Sequence, residues 1–140
     1  MQHRDLLKDQ IEQLGKVLSG ILADFIGMKT RGETAQGISN LSQQFKEKLD
    51  LELDSLLSLS QIELIDYLES RQIFPNQLEI IADCLKEMGS ANLDLNEKIA
   101  RTQLERALLL LDYVDEKTQT MALDRNDKKM EIERILKAFG

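Results

Sequence analysis

At 140 residues, 42% of them hydrophobic and 31% charged, the chain is long enough for one domain with its own core and too apolar for extended disorder. Its net charge of -7 is shared by both halves, which excludes a nucleic-acid arm because either half would repel a phosphate backbone. A single His and a single Cys exclude, within one chain, a Ser-His-Asp triad, a His-pair zinc site, a di-iron site, a disulfide framework and Cys-x-x-Cys redox chemistry.

Apolar residues recur every three or four positions from end to end, the period of packed helices, so an all-α domain of about six helices over residues 1–140 is expected. The first helix spans about Arg4 to Met28, with Leu7, Ile11, Leu14, Leu18, Ile21 and Phe25 as its seam. Val17, Leu22 and Ile26 widen that seam into a stripe broad enough for two neighbours, or for one neighbour and a second copy of the chain. Gly15 and Gly20 inside it each cost about 1 kcal/mol of helix propensity, offset if they admit another helix at close range. The stretch Leu14 to Met28 is interrupted by Lys16 and Asp24 and is too short and too charged to span a membrane. Gln2-His3-Arg4-Asp5 opens the chain without an apolar signal core, so a cytoplasmic location is expected.

After a turn at Gly27 to Gly32, a second helix from about Glu33 to Leu49 carries Ala35, Ile38, Leu41, Phe45 and Leu49 and pairs antiparallel with the first. From Asp50 to Ser60 the leucines are read as an irregular or one-turn connector, since a lone strand would have no partner. Ser60 and Glu63 have capping-box spacing and start a third helix that runs to about Arg71. Pro75 opens a fourth that ends near Gly89, with a loop at Asn92 to Asn96. The fifth, about Asp94 to Lys117, is apolar nearly all round and is the expected central helix. A polar stretch from Thr118 to Asp127 precedes a sixth built on Met130, Ile132, Ile135, Leu136 and Phe139 and closed by Gly140.

Ala82, Leu85 and Gly89 in the fourth helix, with Ala100, Leu104 and Ala107 in the fifth, follow a small-large-small spacing, echoed by Leu14-Gly15 and Leu18 in the first. On these residues the chain resembles tetratricopeptide-type helical hairpins and is similar to uncharacterised bacterial proteins built from them. The turn between the two helices is about six residues longer than a standard repeat, no Pro follows the second, and strict period-34 repetition is missing. The resemblance implies antiparallel hairpins in a right-handed stack that serves as a scaffold and carries out no reaction.

Few residues are candidates for chemistry. His3 sits at the terminus, where neither a catalytic nor a ligand role is expected. Cys84 shares a helical face with Ile81, Leu85 and Met88, the setting of a buried inert thiol. Asp50, Glu52 and Asp54 have the spacing of a calcium loop, but Ser55 stands where Gly is needed and Gln61 where a bidentate Glu is needed. Asp112, Asp115 and Glu116 read as a solvated acidic face. No glycine pattern forms a phosphate loop. No catalytic, cofactor or metal residue is therefore assigned.

The sequence supports a non-catalytic interaction scaffold for a basic or apolar protein or peptide, without nucleic acid or membrane. Its alternative is a small-ligand binder or enzyme with a pocket between helices, using carboxylates, Arg101 or Arg106, and Tyr67 or Tyr113. Homodimerisation through the first helix is a third expectation.

Overall fold

The computed structural model describes the backbone of residues 3–139 and the side chains of residues 9–139; the His3 and Leu7 side chains and Gly140 lie outside the described residues. Among the described residues the chain is all-helical, with α1 (His3–Thr30), α2 (Thr34–Leu49), α3 (Leu53–Ser58), α4 (Gln61–Ser70), α5 (Pro75–Asn92), α6 (Glu97–Thr118) and α7 (Leu123–Phe139). The count is seven where the sequence suggested about six. The added element is α3: its short leucine run closes into a helix because Leu53 and Leu56 both reach the core from one face.

The helix boundaries follow local chemistry. Gly32, with φ of 82°, turns the chain after α1, and the Glu33 amide donates back to the Met28 carbonyl. Asp50 adopts the left-handed conformation after α2, where its amide and that of Leu51 satisfy the Lys46 and Phe45 carbonyls. At α4 the Ser60 hydroxyl accepts from the Glu63 amide at 3.2 Å, while the Glu63 carboxylate accepts from the Ser60 amide at 3.0 Å. These bonds hold the Glu63 carboxyl below its ordinary range. Pro75 takes the first position of α5, and Asn96 caps α6 by accepting from the Ile99 amide at 3.2 Å.

Three boundaries differ from the sequence reading. α5 does not stop at Gly89 but continues to Asn92, because Gly89 serves interhelical contact and not chain reversal. α6 starts at Glu97, after its Asn96 cap. α7 starts at Leu123, inside the stretch expected to be a polar loop, because Arg125 is drawn into the protein by the half-buried carboxylates of Glu79 and Asp115.

Contacts along the helices fix their directions. Met28 meets Gly37, and Asp24 accepts from Gln44, so α1 and α2 are antiparallel. Asn92 meets Gln103, while Leu78 and Tyr113 share a cleft, so α5 and α6 are antiparallel. Asp115 meets Arg125 and Arg101 stacks on Phe139, so α6 and α7 are antiparallel. α1 runs parallel to α5, from the Ile11–Gln77 bond at one end to the Lys29–Glu87 pair at the other. α7 also runs parallel to α5, with Glu79 on Arg125 and Lys86 on Glu131.

A continuous core joins all seven helices, from Leu18, Ile21 and Phe25 of α1 to Ile132 of α7. The centre is shared by α5 and α6 and does not belong to α6 alone: α5 lies between α1 and α6 and buries Leu78, Ile81, Ala82, Cys84, Leu85 and Met88. The broad stripe of α1 is used within the chain, against α2 on one side and α5 on the other, and Val17 and Leu22 pack onto the core. Gly15 and Gly20 do not mark a close approach, since a Cβ at either would meet nothing within 4 Å.

Candidate functional site

Polar side chains gather in two kinds of place: junctions between helices, and a cleft beside α6. The largest junction ties α7 to α5 and α6. Arg125, 7% exposed, donates to Asp115 of α6, to Glu79 of α5 at 2.9 Å and to the Thr120 carbonyl at 3.1 Å. Lys128 bridges Glu79 and Asp83, and Lys129 bridges Asp112 and Asp115. Burial works against an ionised Asp115, but hydrogen bonds from Lys129 and Arg125 outweigh it and hold the carboxyl below the ordinary range. At Asp83 the balance is reversed: burial raises the carboxyl and Lys128 only partly offsets it. The Arg125 guanidinium is raised first by its bond to Asp115, and the Lys129 ammonium by its bonds to Asp112 and Asp115.

Asp112 and Asp115 are thus not simply a solvated acidic face. Asp112 is largely exposed, but Asp115 retains only 14% of its side-chain accessibility and forms a seat for α7. Periodicity could not show this, because the cations that meet these carboxylates lie a whole connection further along the chain.

Two further junctions use neutral amides. Asn92, buried at the end of α5, donates to the buried Gln103 carbonyl of α6 at 2.9 Å. Gln77, also buried, accepts from the Phe74 amide at 3.0 Å and donates to the Ile11 carbonyl at 3.0 Å, linking the start of α5 to α1. Asn92 is the last residue of α5 and not the start of a loop. Its backbone carbonyl still accepts the Leu95 and Asn96 amides, but its side chain points into the helix contact.

The cleft, of about 270 Å³, is bounded by Glu69 from α4, Ile73, Phe74, Pro75 and Leu78 around the start of α5, and Tyr113 and Lys117 from α6. The Tyr113 hydroxyl donates to the Glu69 carboxylate, and the Lys117 ammonium lies 5.9 Å from the centre of the Tyr113 ring. Burial, the bond to Glu69 and the negative charges of Glu69, Glu116 and Asp66 all push the Tyr113 hydroxyl upward, so it remains protonated at neutral pH. A phenol in this state can donate a hydrogen bond but is poorly suited to act as a base.

The residues named for a ligand pocket do not converge. Tyr113 lines the cleft, whereas the Tyr67 ring is stacked under Arg71. Arg101 stacks on Phe139 at the far end of α6, and Arg106 donates to the Leu59 carbonyl at 2.6 Å, fastening α6 to the segment after α3. Cys84 is fully buried, and burial together with the nearby Asp83 and Glu87 pushes its thiol up to about 12. Asp50 is the residue that turns the chain after α2 and accepts from Arg71, both of them structural tasks. Among the described residues no cluster of His, Cys, Asp and Glu is arranged to hold a metal ion, and no helix is long and apolar enough to cross a membrane.

Large apolar side chains remain on the surface close to α7. Leu123 is 81% exposed, Met121 75% and Met130 61%. Leu123 and Met130, seven residues apart, share one helical face.

Comparison with protein-family models, with curated proteins and with solved structures yields no match for this chain.

Proposed function

We propose that the chain is a non-catalytic scaffold for protein-protein interaction, built as a tetratricopeptide-like stack of helical hairpins. The observation that carries this reading is the division of labour among its side chains. The buried polar residues Gln77, Asn92, Gln103 and Arg125 are engaged between helices, while Leu123 and Met130 stand exposed on one face of α7 and Met121 is exposed just before it. An apolar set of this kind on a helical surface is a place for a partner.

The stack is supported by the common direction of α1, α5 and α7, with α2 and α6 running against them, as first and second helices of successive hairpins would run. The Gly89 contact with Ala100 and Leu104 supports close nesting of one such hairpin. The partner suited to this surface is apolar or basic, since the chain carries a net charge of -7. A cytoplasmic setting fits the reduced, buried Cys84.

The test is affinity purification from the native cell, comparing the wild-type chain with Leu123→Lys/Met130→Lys. Both positions are exposed, so the variant should melt like the parent. A protein recovered reproducibly with the parent and lost with the variant is the expected result. Recovery of a bound metabolite, or the same proteins with both baits, would count against the proposal.

A further inference from the structure

The cleft beside Tyr113 has a definite size, floor and charge, and together these describe what fits it. At about 270 Å³ it falls just below the range of roughly 300–1,000 Å³ usual for small-molecule and cofactor sites, and it holds one large side chain more readily than a whole ligand. Its floor is apolar: Ile73 and Leu78 are buried core residues, Pro75 is held by its place at the start of α5, and the Phe74 ring stands 38% exposed as one wall.

The rim is acidic. Glu69 is positioned by the bond from the Tyr113 hydroxyl. Asp66 lies one turn before Glu69 on the same side of α4, and Glu116 one turn after Tyr113 on the same side of α6, so both exposed carboxylates stand beside the cleft. Lys117 is the cation among the cleft-lining residues. Glu69 in the lining and Asp66 and Glu116 beside it set three carboxylates against the Lys117 ammonium near an apolar floor, which favours an apolar side chain carried on a positively charged segment. An acidic segment would meet repulsion from the same rim. A second, smaller depression of about 140 Å³ lies on the other side of the Phe74 ring, against Ile11 and Leu14 of α1, so the ring forms a ridge between two hollows.

We infer that this cleft is a docking pocket for a basic peptide segment of a partner protein, with one large apolar residue of the segment seated on Ile73, Pro75 and Leu78 between Phe74 and Tyr113, and its flanking Lys or Arg residues facing Glu69, Asp66 and Glu116. The inference rests on the scaffold reading above and gives it a specific site and partner chemistry, separate from the outer face of α7.

The probe is a random-peptide display library selected on the immobilised full chain, followed by titration of the isotope-labelled chain with the peptide that emerges. The expected peptide has one large apolar residue flanked by Lys or Arg. Its saturable amide shifts should centre on residues 69–78 and 113–117. Phe74→Ser should abolish the shifts; it keeps the capping bond, which uses the backbone amide, and lowers the melting temperature by the partial burial of the ring, so the chain is titrated well below its melting point, with folding checked by circular dichroism. Glu69→Gln/Glu116→Gln should weaken binding roughly three- to tenfold at low salt and flatten its salt dependence, because it removes two rim charges.

An acidic consensus, no consensus, or binding unaffected by Phe74→Ser would overturn the inference. Shifts confined to Met121, Leu123 and Met130 would also overturn it while leaving the scaffold reading in place. That reading fails separately, through the affinity purification described above.

Discussion

Leu104 packs its side chain onto the bare backbone of Gly89, so closely that a Cβ at Gly89 would lie 2.7 Å from the Leu104 Cγ and 3.2 Å from the Ala100 carbonyl oxygen. Neither neighbour can easily yield: Leu104 is fully buried, and the other contact is backbone. This contact brings α5 and α6 together near their shared turn.

Gly89→Ala should therefore lower stability by about 1–3 kcal/mol through overpacking, despite a gain of roughly 1 kcal/mol in helix propensity. Gly20→Ala has open space around it inside α1 and should raise stability, by up to about 1 kcal/mol. Urea denaturation of the two variants beside the parent checks both signs. Equal shifts would show that the glycine contact is not tight.

Asn92→Leu should cost about 1–3 kcal/mol, because it leaves the buried Gln103 amide without its partner across the hairpin. Replacing both, as Asn92→Leu/Gln103→Leu, should cost less than the single change, since no unpaired polar group then remains. A thermal double-mutant cycle measures the difference, and purely additive losses would mean that the two amides do not act as a pair.

Cys84 should resist thiol reagents at mildly alkaline pH until the chain unfolds. It is fully buried, and its thiol is pushed up to about 12, so the reactive thiolate is both rare and inaccessible. Labelling followed by absorbance, with and without denaturant, checks this; rapid labelling of the native chain would contradict it.

The helices were legible because each displays a 3.6-residue apolar pattern, and the Ser60 and Pro75 starts because capping is local chemistry. The same local signals misled at Gly89, where a glycine suited to ending a helix instead sits within one. The difference lies in Leu104, fifteen residues away: the small-large-small spacing put both residues in one hairpin, but the local helix-stop signal at Gly89 carries no information about that contact. Arg125 lay in an apparently polar loop for a related reason: its burial depends on Asp115 and Glu79 from two other helices. The cleft was half visible. Tyr113 was named, but Phe74 and Glu69 were not, because three elements must fold before they meet.

Arg125→Met should destabilise by about 3 kcal/mol, since it leaves Asp115 and Glu79 with reduced pairing in a largely buried setting. Arg125→Lys should recover only part of the loss, because one ammonium cannot reproduce the planar fork that reaches Asp115, Glu79 and the Thr120 carbonyl together. Chemical denaturation ranks the three proteins; full recovery by Lys would mean that charge alone holds α7.

The same junction sets a direction for acid sensitivity. Asp115 is held below its ordinary carboxyl range, so its contribution is complete above that range and is lost as pH falls through the lowered folded value. Arg125, Lys128 and Lys129 are all raised, which places their loss on the alkaline side and leaves them charged throughout the acid limb. Asp83 has the opposite sign: raised by burial, it costs stability when ionised and gives some back as pH falls through its raised value. Asp115→Asn should therefore be less stable than the parent at neutral pH; the gap should begin to narrow as pH falls below about 4, where the unfolded chain takes up the proton, and should close only below the lowered folded value, where the folded parent also loses the charge. Denaturant titrations of both proteins at a series of pH values measure that gap directly. A gap that stays constant into acid would show that the Asp115 charge contributes nothing to seating α7, and would leave the junction to hydrogen-bond geometry and the buried Ile132.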